Sequence, residues 1–146
     1  MIELEFTTYL NRPVEQVYDF VINADNLRLW QTGLIKSEVL TRGPLRVGTR
    51  VRQIRYMGPK QSEIKAEITA LEPNKRFTTK TITKPKVTID YIFEPKDGGT
   101  QLTYIFVMQT SGLMHLLEPM VKDFIKTDTE ADFENLKQVL GCTEIS

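Results

Sequence analysis

The sequence predicts an α+β fold in which one long C-terminal helix lies against a curved, seven-stranded antiparallel sheet. Three observations carry that expectation. Apolar and polar residues alternate with period two in several separate segments, as they do in half-buried strands. Short turn-forming clusters separate the later segments, so neighbours in sequence should pair as an antiparallel meander. After residue 112 the period changes to three and four, which is the spacing of a helix face. Strands and helices are thus segregated along the chain, the mark of α+β rather than α/β organisation. The 146 residues read as one unit, with no repeat or linker dividing them. A chain of this size buries roughly 70% of its unfolded surface, enough for a core with room for a cavity.

Residues 2–10 place Ile2, Leu4, Phe6, Thr8 and Leu10 on one face and Glu3, Glu5, Thr7 and Tyr9 on the other, which predicts the first strand. Asn11 is the candidate cap, and Pro13 suits the first turn, of a helix over 13–22 with Val14, Val17, Tyr18 and Val21 on one stripe. The segment Asn23-Ala24-Asp25-Asn26 breaks it, and a short second helical turn holds Leu27, Leu29 and Trp30. Strands are predicted at 34–41, 49–57, 62–71, 76–82, 86–94 and 100–109. They are separated by turn residues around Gly43-Pro44, Gly58-Pro59, Pro73-Asn74, Lys84-Pro85 and Asp97-Gly98, the last being the strongest hairpin signal. The long helix carries Leu113, Leu116, Leu117, Met120, Val121 and Phe124, then a second apolar set, Phe133, Leu136 and Leu140, rotated around it. Its length of about 28 residues corresponds to roughly 40 Å. Pro119 either kinks this helix or marks where its regular part begins.

Composition excludes several classes. Lys plus Arg is 19 and Asp plus Glu is 19, so the net charge is zero and no nucleic-acid partner is expected. The cluster Arg46, Arg50, Arg52 and Arg55 reads as the solvated face of a strand region. Cys142 is the sole cysteine and His115 the sole histidine, which leaves neither an internal disulfide nor a zinc site, so no metal is expected. No phosphate-binding, dinucleotide-binding or nucleophile-elbow pattern is present, and no cofactor is expected. With no signal-like segment and no apolar run near the ~18 residues of a membrane span, a cytoplasmic protein without integral membrane association is expected, as a monomer or homodimer.

The segments Arg12-Pro13-Val14-Glu15-Gln16-Val17-Tyr18-Asp19-Phe20-Val21, Asp25-Asn26-Leu27-Arg28-Leu29-Trp30-Gln31, Gly43-Pro44-Leu45-Arg46-Val47-Gly48-Thr49-Arg50, Gly98-Gly99-Thr100-Gln101-Leu102-Thr103 and Phe133-Glu134-Asn135-Leu136-Lys137 together resemble the START-like superfamily. That fold is also called helix-grip or Bet v 1-like, and the likeness is to its polyketide cyclase/dehydrase and lipid-transport branch. It extends over nearly the whole chain. The motifs are turns, caps and packing residues, and the superfamily includes lipid carriers, hormone receptors, cyclases and hydroxylase subunits, so fold does not decide function. The resemblance implies a ligand cavity between the sheet and the long helix, open at one end.

The residues themselves give candidates. Strand rows Ile64, Ala66, Ile68, Ala70; Val87, Ile89, Tyr91, Phe93; and Leu102, Tyr104, Phe106, Met108 should face the helix, with Phe77, Thr79 and Thr81 as a further mixed row. In strand 49–57 either Val51, Gln53, Arg55 and Met57 or Arg50, Arg52, Ile54 and Tyr56 face inward. Either register brings an arginine near the cavity, and a buried arginine needs an acidic partner or an anionic ligand. Asp128, close to the Leu117, Val121 and Phe124 stripe on a helical wheel, is the candidate partner, with Asp132 one turn on. The expected function is binding or transport of a small hydrophobic molecule such as a lipid, polyketide or aromatic. Its expected contacts are Trp30, Gln53, Ile68, Phe77, Tyr91, Tyr104, Phe106, Met120, Phe124 and Asp128. One alternative is a cyclase/dehydratase-type enzyme, with Asp128, Tyr104 or His115, paired to Glu118, as acid or base. The other is a protein-interaction module, which would show an exposed apolar patch rather than a hollow.

Overall fold

The computed structural model describes residues 1–57 and 59–142, Met57 by its backbone alone; the turn residue Gly58 lies outside the described residues. In chain order the elements are β1 (Ile2–Leu10), α1 (Val14–Ile22), a 3-10 turn (Ala24–Asn26), α2 (Leu27–Trp30), β2 (Leu34–Val39), β3 (Arg50–Met57), β4 (Lys60–Glu72), β5 (Arg76–Thr81), β6 (Val87–Lys96), β7 (Gly99–Met108), α3 (Leu113–Leu116) and α4 (Glu118–Val139). The seven strands form one antiparallel sheet in the order β1-β7-β6-β5-β4-β3-β2. From β2 to β7 this is a meander, and β1 crosses to pair with β7. Irregularities between Leu34 and Lys36 and between Ile68 and Ala70 are placed where bulges bend a strand and sharpen its curl. The sheet, the long helix and the short helices after the first strand are the predicted architecture.

Local chemistry explains the boundaries. Asp97 and Gly98 have φ of 49° and 79°, the two positive values that a two-residue hairpin with the sheet's own twist requires, and they join β6 to β7 at the Lys96–Gly99 pair. Asn11 does not cap α1. The helix begins one residue beyond Pro13, whose carbonyl accepts the Val17 amide at 3.1 Å, and no side chain caps it. Asn23 caps the 3-10 turn that follows, its side chain accepting the Asp25 amide at 3.0 Å. Pro119 starts the regular helix rather than kinking it, occupying the first turn of α4 where its missing N–H costs nothing. At the other end Gly141, at φ 71°, closes α4: the Cys142 amide reaches the Lys137 carbonyl at 2.8 Å and the Gly141 amide reaches the Gln138 carbonyl at 3.0 Å. The Arg12 guanidinium then donates to the Gly141 carbonyl at 2.7 Å, tying the helix end to the segment after β1.

The core gathers at one side. Ile2, Leu10, Val17, Tyr18, Val21, Trp30, Phe93, Leu102, Phe106 and Met108 are buried together with Phe133, Leu136 and Leu140 of α4. Backbone approach of α4 is close to β1 and α2. Its two apolar stripes meet different fates. Phe124 and Phe133 are nine residues apart, which at about 100° per residue sets them about 180° apart around the helix. A straight helix cannot bury both. Phe133 and Leu136 are 6% and 0% exposed, whereas Met120 and Phe124 are 70% and 48% exposed. Leu113, Leu116 and Leu117 are exposed with them.

This division predicts opposite responses to truncation. Leu136→Ala should lower unfolding stability by about 2–5 kcal/mol, the range for a fully buried leucine. Met120→Ala should change it by less than about 0.5 kcal/mol. Urea unfolding of both variants checks this, and equal losses would mean that the N-terminal stripe is packed.

Candidate functional site

The concave face of the sheet is defined by register. Gln53 pairs with Ile64 and Val51 with Ala66, so Val51, Gln53 and Arg55 share a face with Ile64, Ala66 and Ile68. Tyr91 stands opposite Tyr104 on one side and Phe77 on the other, and Ile89 opposite Phe106. Arg52 takes the convex face, where it forms ion pairs at 3.0 Å with both Glu38 and Glu63. The inward face of β3 is therefore the one with Gln53 and Arg55.

Across this face runs a row of rings. Phe77 stacks on Tyr91 (centroids 5.8 Å, 20°), and Tyr91 meets Tyr104 edge-on at 5.2 Å. Tyr104 meets Phe133 of α4 at 5.3 Å, and Phe133 stacks on Trp30 of α2 at 6.0 Å. Such edge and offset contacts are the favoured geometries of aromatic pairs. The Trp30 indole N–H is buried without a hydrogen-bond partner among the described residues. Beside the row, Leu4, Phe6, Val87, Ile89, Val121 and Ile125 pack against the core yet stay half-buried. An apolar lining between the sheet and α4 is thus left partly open to solvent.

A polar cluster interrupts this lining. The Arg55 guanidinium donates from Nε to Gln53 Oε1 at 2.9 Å and from Nη2 to Gln31 Oε1. Asp132 of α4 is half-buried, and its Oδ1 accepts the Thr32 amide at 3.1 Å and the Thr32 hydroxyl at 3.3 Å. Burial pushes the Asp132 carboxyl above the usual aspartate value, the nearby Asp128 charge adds to this, and the Thr32 bonds and Arg55 only partly offset it. Burial likewise raises Tyr91 and Tyr104, with Arg55 opposing and Asp132 reinforcing in both cases. Both phenols are therefore neutral donors throughout the physiological range. The Thr129 side chain, buried beside Tyr104, is a further hydroxyl in the cluster.

Of the residues anticipated from sequence, Trp30, Ile68, Tyr91, Tyr104 and Phe106 are buried on the concave side or against it, with Phe77 and Gln53 half-buried there. Met120, Phe124 and Asp128 lie on exposed parts of α4. On the wheel Asp128 is rotated about 40° from Asp132, toward the solvent side. The acid near Arg55 is accordingly Asp132, not Asp128. His115 is exposed at the other end of the helix pair, its Nδ1 2.7 Å from Glu118, which also holds the Met1 ammonium at 2.8 Å. It is not part of the cluster. Gln31, Thr32 and Thr129 were not anticipated; only Gln31, adjoining Trp30, carried any signal. Depressions at Thr7, Tyr9, Lys96 and Gln101 and at Lys80, Thr88, Val107 and Gln109 lie away from this cluster.

Comparison with known proteins places this geometry. The sequence profile described as polyketide cyclase / dehydrase and lipid transport matches residues 1–141. No curated protein matches the chain. Among solved structures, TTHA0849 from Thermus thermophilus superposes with a TM-score of 0.82 at 17% identity, covering 95% of this chain and 97% of that one. Ara h 8.0201 gives 0.75 at 16% identity, over 97% and 99%. The di-domain ARO/CYC BexL from the BE-7585A biosynthetic pathway gives 0.75 at 17% identity, over 94% of this chain and 46% of that one. At such identities the structures establish the fold alone.

The Asp132 environment sets a pH dependence. Its folded value lies above its unfolded one, so its contribution is fully present below the unfolded value and is lost as pH rises through the folded value. Asp132→Asn, which keeps an oxygen for Thr32, should therefore raise the urea midpoint near pH 7. The gain should vanish near about pH 3, below the ordinary carboxylate range. A gain of equal size at both pH values, or a loss at neutral pH, would contradict the burial argument.

Proposed function

Given that the chain belongs to the polyketide cyclase / dehydrase and lipid transport family, we propose that it binds and carries a small hydrophobic molecule in the groove between the sheet and α4. The observation that carries this reading is the half-exposed lining of Leu4, Phe6, Val87, Ile89, Val121 and Ile125. Apolar surface left in contact with water gains about 25 cal/mol per Å2 when a guest covers it. The half-buried ring of Phe77 extends this lining, with Tyr91 and Tyr104 buried behind it, and few polar groups interrupt it. Apolar walls with a small set of polar anchors are the usual make-up of small-molecule sites.

A second reading, a cyclase/dehydratase-type enzyme, is favoured by one pairing. Asp132 is held by Thr32 in a partly desolvated position, within electrostatic reach of the neutral Tyr104 hydroxyl. In that role Asp132 would move a proton and Tyr104 would donate to a carbonyl oxygen of the substrate. It requires that Asp132→Asn lower dehydration of a β-hydroxyketone substrate by about 100-fold or more while binding persists. Undiminished turnover in that variant would remove Asp132 from any such chemistry.

Titration with N-phenyl-1-naphthylamine, a neutral apolar fluorophore, tests the binding reading. Saturable enhancement is expected. Ile89→Trp, which fills the groove from the sheet side, should weaken it by about tenfold or more, a cost of at least about 1.4 kcal/mol. No saturable binding, or binding indifferent to Ile89→Trp in a protein of unchanged circular dichroism, would overturn it.

A further inference from the structure

We propose that Arg55 is a head-group anchor and that the hydrophobic guest carries a carboxylate; this rests on the groove being the binding site. Two arginines on β3 are treated differently by their surroundings. Convex Arg52 is neutralised by two carboxylates, Glu38 and Glu63, each at 3.0 Å. Concave Arg55 receives only amide oxygens, from Gln53 at 2.9 Å and from Gln31. Amides fix the orientation of a guanidinium without cancelling its charge. Gln31 is itself buried at the end of α2, so the cradle is built by two separate elements.

The donor count points the same way. A guanidinium has five N–H donors, of which these bonds use two. No carboxylate among the described residues lies within ion-pair distance of Arg55. A half-buried cation in this state gains from a bidentate anion far more than an exposed one, because water competes less. Asp132 does not supply that anion at contact: it lies within electrostatic reach of Arg55, yet neither of its oxygens comes within 4.0 Å of the guanidinium. Tyr91 and Tyr104 are both within electrostatic reach of Arg55, and burial keeps their phenolic protons in place. A carboxylate seated on Arg55 leaves its tail to run past these rings toward Ile89 and Phe106. The arrangement fits a fatty or aryl acid better than the matching alcohol.

The probes are dodecanoate and dodecanol below their aggregation limits, followed by isothermal titration and by the fluorescence of Trp30, the sole tryptophan. The native protein should bind dodecanoate about tenfold or more tighter than dodecanol, as expected for hydrogen bonds to a charged group. Arg55→Gln should erase that preference while dodecanol still binds saturably, which also reports an intact groove. Gln53→Glu, which supplies a carboxylate to Arg55 in place, should erase it as well without deleting the cation. Arg52→Gln, on the convex face, should retain the preference. Equal binding of acid and alcohol by the native protein, or a preference that survives Arg55→Gln, overturns the anchor and leaves the groove reading standing. Binding of neither probe overturns both.

Discussion

Phe133 is the contact on which the arrangement of helix and sheet depends. It meets Tyr104 of the sheet at 5.3 Å and Trp30 of α2 at 6.0 Å, so three separate parts of the chain converge on one ring. Because a helix is rigid in rotation, seating Phe133 and Leu136 against the core sets the direction of every other side chain on α4. Asp132 is turned toward Arg55 by that seating. Met120 and Phe124 are carried to the opposite side, where they remain exposed despite being as apolar as the stripe that won. The choice follows from packing partners: β1, β7, α1 and α2 bring a continuous apolar surface to the C-terminal half of α4.

The same seating leaves few charges between the sheet and α4 and buries the rings of Tyr91 and Tyr104. Desolvation keeps Tyr91 and Tyr104 protonated and pushes the Asp132 carboxyl above its usual value, while the nearby Arg55 guanidinium opposes all three shifts. The balance of the cluster is thus cationic or neutral rather than anionic. In this chain a carrier role would draw on these groups for orientation and an enzymatic role would draw on them for proton movement.

Much of the architecture was legible because its signals are local. Alternation in residues 2–10 gave the strand and its inward face, and Asp97-Gly98 gave a hairpin that depends only on two positive φ values. Of the two outcomes that Pro119 left open, a kink or the start of the regular helix, the structure has the start. Other local signals misled or went unread. Asn11 has the chemistry of a cap but stands too early, since the chain turns at Arg12 before helical geometry begins. Gly141 ends α4 in a left-handed conformation that Arg12, far away in sequence, then covers.

The sequence by itself determined the α+β order of elements, the antiparallel meander, and the alternating rows that became the concave wall, because each rests on spacing within a few residues. It also held both apolar stripes of the long helix and both faces of strand 49–57 without ranking them. Only the tertiary structure decided between them. A helix cannot turn two opposed stripes to one sheet, and a strand cannot face both ways, so the outcome depended on which distant surfaces offered burial. That decision put Asp132 rather than Asp128, and Arg55 rather than Arg52, on the groove side, and with them the polar chemistry of the candidate site.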